Sequence, residues 1–241
     1  MKKTIVVTGG AKGIGKSIVE FLSTKYNIVF NYNKSEEQAK KLEQELINAG
    51  RNVCAYKADV SKREEAKGLV EYAIKTFGNV DGIINNAGIS QIKVFNDITD
   101  EDWENMMKNN LYSVFYMSQE ALKYMIPKKS GSIINISSIW GITGASCESH
   151  YAVSKAGIDA LTKSLAKELG PSNIRVNSIA PGIIDTDMNK ELNNEEIKEL
   201  KEEIPLGKIG NTIDIAKCVA WLLEDNYVTG QIISINGGWL I

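Results

Sequence analysis

Apolar positions along this chain follow two rhythms. Short runs rich in β-branched residues cover Ile5 to Val7, Ile28 to Tyr32, Asn52 to Lys57, Val80 to Ile84, Ser132 to Ser137, Ile174 to Ile179 and Gln231 to Ile235. They are too short and too uniformly apolar for surface helices, so they predict seven strands buried on both faces. Between them, apolar residues at every third or fourth position predict helices through Leu22, over Ser35–Ala49, Lys62–Phe77 and Thr99–Met125, from His150 to Leu169, and over Thr212–Leu223. Thr99, followed by three acids, reads as an N-cap, and Pro127 stops that helix, which leaves Asn110 in its middle. Strands alternating with helices predict an α/β fold: one doubly wound, parallel, seven-stranded sheet (a Rossmann fold) over residues 1–241, with right-handed crossovers. The polar stretch at about 187–209 is weakly periodic and reads as a lid over a substrate, or else as a surface helical hairpin.

Composition narrows the partners. With 241 residues and 43% hydrophobic positions, the chain has enough apolar material for one domain. Twenty-eight Lys and Arg against 30 Asp and Glu leave a net charge of -2, without the basic excess of a nucleic-acid or anionic-membrane binder. Cys54, Cys147 and Cys218 are odd in number and far apart, which predicts free thiols in a reducing compartment. One histidine leaves a metal short of ligands, and no run approaches the roughly 20 apolar residues of a membrane span. The expectation is a cytoplasmic protein without a metal.

Several stretches carry chemistry. After the first strand, Thr8-Gly-Gly-Ala-Lys-Gly-Ile-Gly15 opens a helix, so Gly9, Lys12, Gly13, Ile14 and Gly15 form a turn in which backbone amides can meet a pyrophosphate. Where the second strand ends, Asn31-Tyr-Asn-Lys-Ser35 offers no carboxylate before Glu36. An acid there would hold the ribose hydroxyls of NAD; its absence, with Asn33 and Lys34 in its place and Lys12 nearby, points to NADP. Asp59 and Val60 end the third strand, where the carboxylate can accept from an adenine amino group. Asn86, Ala87 and Gly88 end the fourth, small enough for backbone to lie against a ribose. Pro181, Gly182, Ile184 and Thr186 follow the sixth, at the nicotinamide end.

Tyr151 and Lys155 stand four apart and share one helix face, so a phenol and an ammonium can enter one cavity. The ammonium is expected to lower the phenol's pKa toward working pH. Ser138 follows the fifth strand, and Asn110 can hold a water against Lys155. Trp140 and Glu148 flank the predicted cavity, where a carboxylate suits a cationic amine better than an apolar chain. Tyr and Lys four apart are common as surface packing, and neither Cys147 nor His150 has the spacing of a nucleophilic relay; Cys147 reads better as an oxidisable thiol.

Taken together, Thr8 to Gly15, Asp59-Val60, Asn85 to Gly88, Asn110, Ser138, Tyr151 with Lys155, and Pro181-Gly182 to Thr186 resemble the short-chain dehydrogenase/reductase family over essentially the whole chain. The likeness is greatest to its 3-oxoacyl-[acyl-carrier-protein] reductases. It implies NADPH, a homotetramer, a carrier-bound ketone held by Ser138 and Tyr151, Tyr151 as proton donor, Lys155 on the nicotinamide ribose, and Asn110 with water resupplying the proton. Ser137 to His150 and Asn236-Gly-Gly-Trp239 look like a subgroup that reduces 5-aminopentanone on a lysine of elongation factor P. A dehydrogenase of small alcohols or sugars, and a non-enzymatic dinucleotide sensor, are the remaining readings.

Overall fold

The structure is a computed structural model describing residues 2–187 and 193–241. Its strands are β1 (Thr4–Val7), β2 (Asn27–Tyr32), β3 (Val53–Lys57), β4 (Gly82–Asn85), β5 (Gly131–Ile136), β6 (Ile174–Pro181) and β7 (Ile232–Ile235). All neighbours pair in parallel, in the order β3-β2-β1-β4-β5-β6-β7. The chain winds outward from β1 in one direction and from β4 in the other, so a crevice opens at the carboxyl ends of these two strands.

Alternate strand residues feed two separate cores. Ile5, Val7, Ile28, Phe30, Ile84 and Ile134 pack on one face under α1 (Gly13–Leu22), α2 (Glu36–Asn48) and α9 (Thr212–Glu224). Val6, Val29, Ile83, Ile133 and Val176 point the other way, beneath α3 (Arg63–Phe77), α5 (Ser113–Met125) and α7 (Ser149–Leu169). Two faces covered by helices explain why the strands read as unbroken apolar runs. Among the described residues no helix is long and apolar enough to cross a membrane.

The expected helix from Thr99 to Met125 is not one helix. It is α4 (Asp100–Met107), a π-helical turn (Lys108–Tyr112) and then α5. Thr99 does cap α4, with Asp102 returning a bond to the Thr99 amide. The π turn draws Asn110 inward: its carboxamide accepts from the Ile89 amide at 2.8 Å and donates to the Ile89 carbonyl at 2.9 Å and Ser154 Oγ at 3.0 Å. These tertiary bonds outweigh regular α geometry, and such turns recur at functional sites. A short helix α6 (Trp140–Thr143) also follows β5, and β6 runs two residues beyond the predicted end to Pro181, which as the strand's last residue needs no donor. Of the stretch read as a lid, 188–192 lie outside the described residues, and α8 (Asn194–Glu203) is a single capped helix.

Ile133 is fully buried in the central strand β5. Ile133→Ala is expected to lower unfolding free energy by about 2–5 kcal/mol, read as a lower urea midpoint at unchanged slope.

Candidate active site

The crevice end of the sheet is built first from backbone. Gly9 has φ +64 and Gly13 φ +52, both in the left-handed region. A Cβ on Gly15 would stand 2.1 Å from the Gly9 carbonyl oxygen, so only glycine lets α1 begin this close to the turn. Lys12 at the N-cap makes no side-chain cap and the first turn holds no acid, which leaves the positive end of α1 uncompensated. Two side chains pin the turn. Asn31 Oδ1 accepts from the Gly9 amide at 2.8 Å while its Nδ2 donates to the Ala58 carbonyl. Thr8 Oγ1 accepts from the amides of Asn86 and Ala87 at 2.9 and 3.0 Å, and Asn86 Nδ2 donates back to the carbonyls of Thr8 and Gly9. Of the expected site residues, the glycines, Asn86 and Ala87 are thus one cradle. An open cleft of about 380 Å³ borders it, reaching Gly13, Ser17, Thr186 and Thr212.

Asn33, Lys34 and Lys12 are exposed around this cradle, and the nearest following acid, Glu36, is bound by Lys57 at 2.8 Å. Asp59 turns one oxygen to the amide and hydroxyl of Ser61, leaving Oδ2 3.8 Å from Lys62; Val60 is buried behind it. Past β6, the Pro181 carbonyl accepts from the Ile139 amide, and Gly182 lies so close to Asn236 that a Cβ would sit 2.9 Å from its side chain. Ile184 is buried, and Thr186 comes back over Gly13, 3.5 Å from where a Cβ there would be. These distances describe a slot lined by small residues and closed at one end by the start of α1, shaped for a flat, phosphate-bearing ligand such as a dinucleotide.

At the other end of the crevice, Gly141 backs onto α7 so tightly that a Cβ would be 2.8 Å from the Lys155 carbonyl carbon. This contact brings Ser138 to the face of α7 that carries Tyr151 and Lys155. The Ser138 hydroxyl accepts from the Trp140 amide at 3.2 Å and lies near enough to the Tyr151 phenol to lower its pKa. Lys155 Nζ is buried, donates to the Ile136 carbonyl at 2.9 Å and stands 5.5 Å from the Tyr151 ring centre. Gly88 touches both partners beyond: a Cβ there would be 3.1 Å from Asn110 Oδ1 and 3.5 Å from Lys155 Nζ. Ser138, Tyr151, Lys155 and Asn110 therefore lie together at this end of the crevice.

Their electrostatics do not follow the expectation. Burial pushes the Tyr151 phenol up to about 12, with Glu148's negative charge adding to the rise and the Ser138 hydrogen bond opposing it. Burial outweighs any lowering by the neighbouring Lys155 ammonium, whose own bond goes to the Ile136 carbonyl. Burial also brings Lys155 down to about 8, while Asp159, one turn further along α7, works in the opposite direction. Asp159 is itself buried, bonded to the Ser178 hydroxyl at 2.8 Å, and was not legible as part of the site.

Trp140 packs edge-on against Trp239, ring centres 5.3 Å apart. Glu148 occupies the N-cap of α7 but makes no side-chain cap, and it forms no ion pair among the described residues; burial raises its pKa. Cys147 takes a left-handed φ of +60, and its carbonyl accepts from the Lys93 amide at 2.7 Å. His150 is buried one residue before Tyr151 and bonds to Gln91.

Comparison with known proteins agrees with this geometry. The family model described as short chain dehydrogenase matches residues 3–197. The chain belongs to the short chain dehydrogenase family. This short chain dehydrogenase is 38% identical over 241 residues to the 3-oxoacyl-[acyl-carrier-protein] reductase FabG of Staphylococcus aureus (strain N315), covering 99% of this chain and 98% of that protein. It is 39% identical to the FabG of Chlamydia trachomatis serovar D, covering 99% and 97%. It is also 39% identical over 243 residues to the uncharacterized oxidoreductase YmfI of Bacillus subtilis (strain 168), covering 99% of each.

The lysine shift makes a prediction about this short chain dehydrogenase. In the folded chain Lys155 binds its proton more weakly than the ordinary 10.5, so below pH 8 folding carries the penalty of a buried charge, and that penalty fades between pH 8 and 10.5. Relative to wild type, Lys155→Met should therefore gain about 2–3 kcal/mol of stability between pH 10.5 and pH 7; chemical denaturation at the two pH values measures it.

Proposed function

We propose that this short chain dehydrogenase is an NADPH-dependent ketone reductase whose substrate is the 3-oxoacyl group of an acyl-carrier protein, reduced to the 3-hydroxyacyl form. The Tyr151 phenol, within the influence of the Ser138 hydroxyl and beside the buried Lys155 ammonium, carries this reading. A phenol held near 12 stays protonated at neutral pH, which suits giving a proton to an alkoxide rather than taking one from an alcohol. The names of two relatives, reductases of 3-oxoacyl-[acyl-carrier-protein], support the substrate.

The reduced nicotinamide supplies a hydride to the carbonyl carbon. Ser138 and Tyr151 donate hydrogen bonds to the carbonyl oxygen, and Tyr151 gives up its proton as negative charge develops there. Lys155 stands at about 8 and the phenol at about 12, so the proton gradient runs from ammonium to phenolate. Lys155, and behind it Asn110 with solvent, refills the tyrosine. Gly9, Gly13, Ile14 and Gly15 hold the pyrophosphate on the amides of the turn, Asp59 and Val60 hold the adenine, and Asn86, Ala87 and Gly88 its ribose. Lys155 and Tyr151 hold the nicotinamide ribose; Pro181, Gly182, Ile184 and Thr186 hold the ring. Lys12, Asn33 and Lys34 take the 2′-phosphate, a role favoured by the neutralisation of Glu36 by Lys57. Exposed Phe115 and Val153 on α5 and α7 favour packing against other copies as a homotetramer in the cytoplasm.

Glu148 favours a second substrate. A half-buried carboxylate without a cation partner among the described residues, close enough to raise the Tyr151 pKa, would match the ammonium of 5-aminopentanone on a lysine of elongation factor P.

Tyr151→Phe should lower kcat with acetoacetyl-coenzyme A by about a thousandfold while NADPH affinity, by fluorescence titration, stays within about twofold. Turnover retained near the wild-type rate would remove the mechanism, and a clear preference for NADH would remove the cofactor assignment. Side-by-side NADPH oxidation with the thioester and with aminopentanone-modified elongation factor P decides the substrate: faster turnover of the modified protein would replace the acyl-carrier reading.

A further inference from the structure

The loop between β4 and α4 starts at the site and ends on a helix cap. Ile89 is gripped at both its amide and carbonyl by Asn110, and four residues later the Lys93 amide donates to the carbonyl of Cys147, which lies four residues ahead of Tyr151. The loop therefore spans the mouth of the crevice from the Asn110 side to the head of α7. Its middle is exposed and apolar, with Ile92, Val94 and Phe95 all more than half exposed, so apolar burial does not hold it down.

Polar side chains do. Asp102, the residue that completes the cap of α4, accepts from Gln91 Nε2 at 2.9 Å through one oxygen and from Lys93 Nζ at 2.6 Å through the other. These bonds keep its carboxyl far below the usual range, so it is an acceptor only. The Gln91 amide must then face Asp102 with its NH2 and present its oxygen to His150, 2.9 Å away. It follows that His150 carries its proton on Nε2 and donates it to Gln91, which leaves Nδ1 bare; that atom is buried and has no partner among the described residues. His150 itself is completely buried. Burial keeps the imidazole neutral, with Asp102 and Lys93, the charged groups facing it, pulling in opposite directions.

We propose that His150 and Gln91 are positioning residues: the chain Asp102, Gln91, His150 latches residues 89–97 to the head of α7 and so holds the ketone-side wall of the site in register with Tyr151. His150 sits immediately before Tyr151 on the helix, so the bond that fixes the loop is made one residue from the proton donor. The cofactor cradle, on the far side of Gly88, shares no bond with this latch. Loosening it should therefore change ketone binding and leave dinucleotide binding alone.

The proposal rests on the reductase reading, and its test separates the two. Gln91→Leu, His150→Phe, the double variant and His150→Gln, which keeps a donor of similar reach, are compared with wild type using NADPH and acetoacetyl-coenzyme A. Gln91→Leu and His150→Phe are each expected to raise the KM of the thioester about three- to tenfold with the KM of NADPH within about twofold. Both remove one link, so the double variant should be no worse than the stronger single one, and His150→Gln should recover most of the loss. Amide hydrogen exchange across residues 89–97 should quicken in every variant whose KM rises. Unchanged exchange, unchanged thioester KM, additive effects, or a rise in both KM values together would each overturn the latch. Should His150→Phe not fold, Gln91→Leu, a half-buried loop position, decides alone. Should wild type not reduce the thioester, the reductase reading with that substrate class falls, and exchange across 89–97 still judges the latch.

Discussion

A single ammonium buried at the carboxyl end of β5 sets the terms for this site. Lys155 donates to the carbonyl oxygen of Ile136 and is almost wholly buried, with Gly141 packed on its backbone and Gly88 close to its ammonium. Desolvation weakens its hold on a proton and strengthens that of Tyr151 beside it, so the two groups move in opposite directions from one cause. In the proposed reduction, a tyrosine that had given its proton away would then be refilled downhill. Had both groups stood in water, each would titrate near its ordinary value and the gradient between the pair would be lost.

Keeping a charge in such a place demands a rigid frame, and the two-faced sheet provides it. β5 lies between β4 and β6 with apolar layers above and below, and a polar ladder crosses it: Asn85 Nδ2 donates to Asn135 Oδ1, and Asn135 Nδ2 donates to Thr162 Oγ1 on α7. The ladder ties the register of the strand that leads to Ser138 to the helix that presents Tyr151. Glycine does the rest at close approaches, since a single methyl on Gly15 or Gly141 would drive backbone from backbone.

The parts of this arrangement that depend on neighbours in sequence were readable there. Strand runs, the glycine turn and the four-residue step from Tyr151 to Lys155 are local, and the sheet order follows from alternation and handedness. What depended on distant partners was not. Asn110 reads as a mid-helix residue able to hold a water against Lys155; only its bonds to Ile89 and Ser154 make it a residue of a π turn, bound inward through its own carboxamide. The direction of the tyrosine shift was misjudged because a cation four residues away is visible in a sequence and the loss of water around both groups is not. Asn31 reads only as part of a stretch without an acid, whereas its use as a clamp on Gly9 requires knowing that β2 ends beside the turn.

The two sides of the crevice differ in how they are made, and that difference bears on substrate choice. The dinucleotide side is backbone amide and glycine, which tolerate little change. The ketone side is made of long-range side-chain pairs, Trp140 with Trp239 and His150 with Gln91, and of Glu148, which has no partner of its own among the described residues. An apolar acyl chain is compatible with Glu148 only in its protonated form, which burial favours, while a cationic chain needs the carboxylate. The same carboxylate charge raises the Tyr151 pKa, so a substrate ammonium that neutralised it would also ease proton donation. Recognition of the chain and activation of the acid are thus coupled through one side chain, which an acyl group would reach only by silencing it.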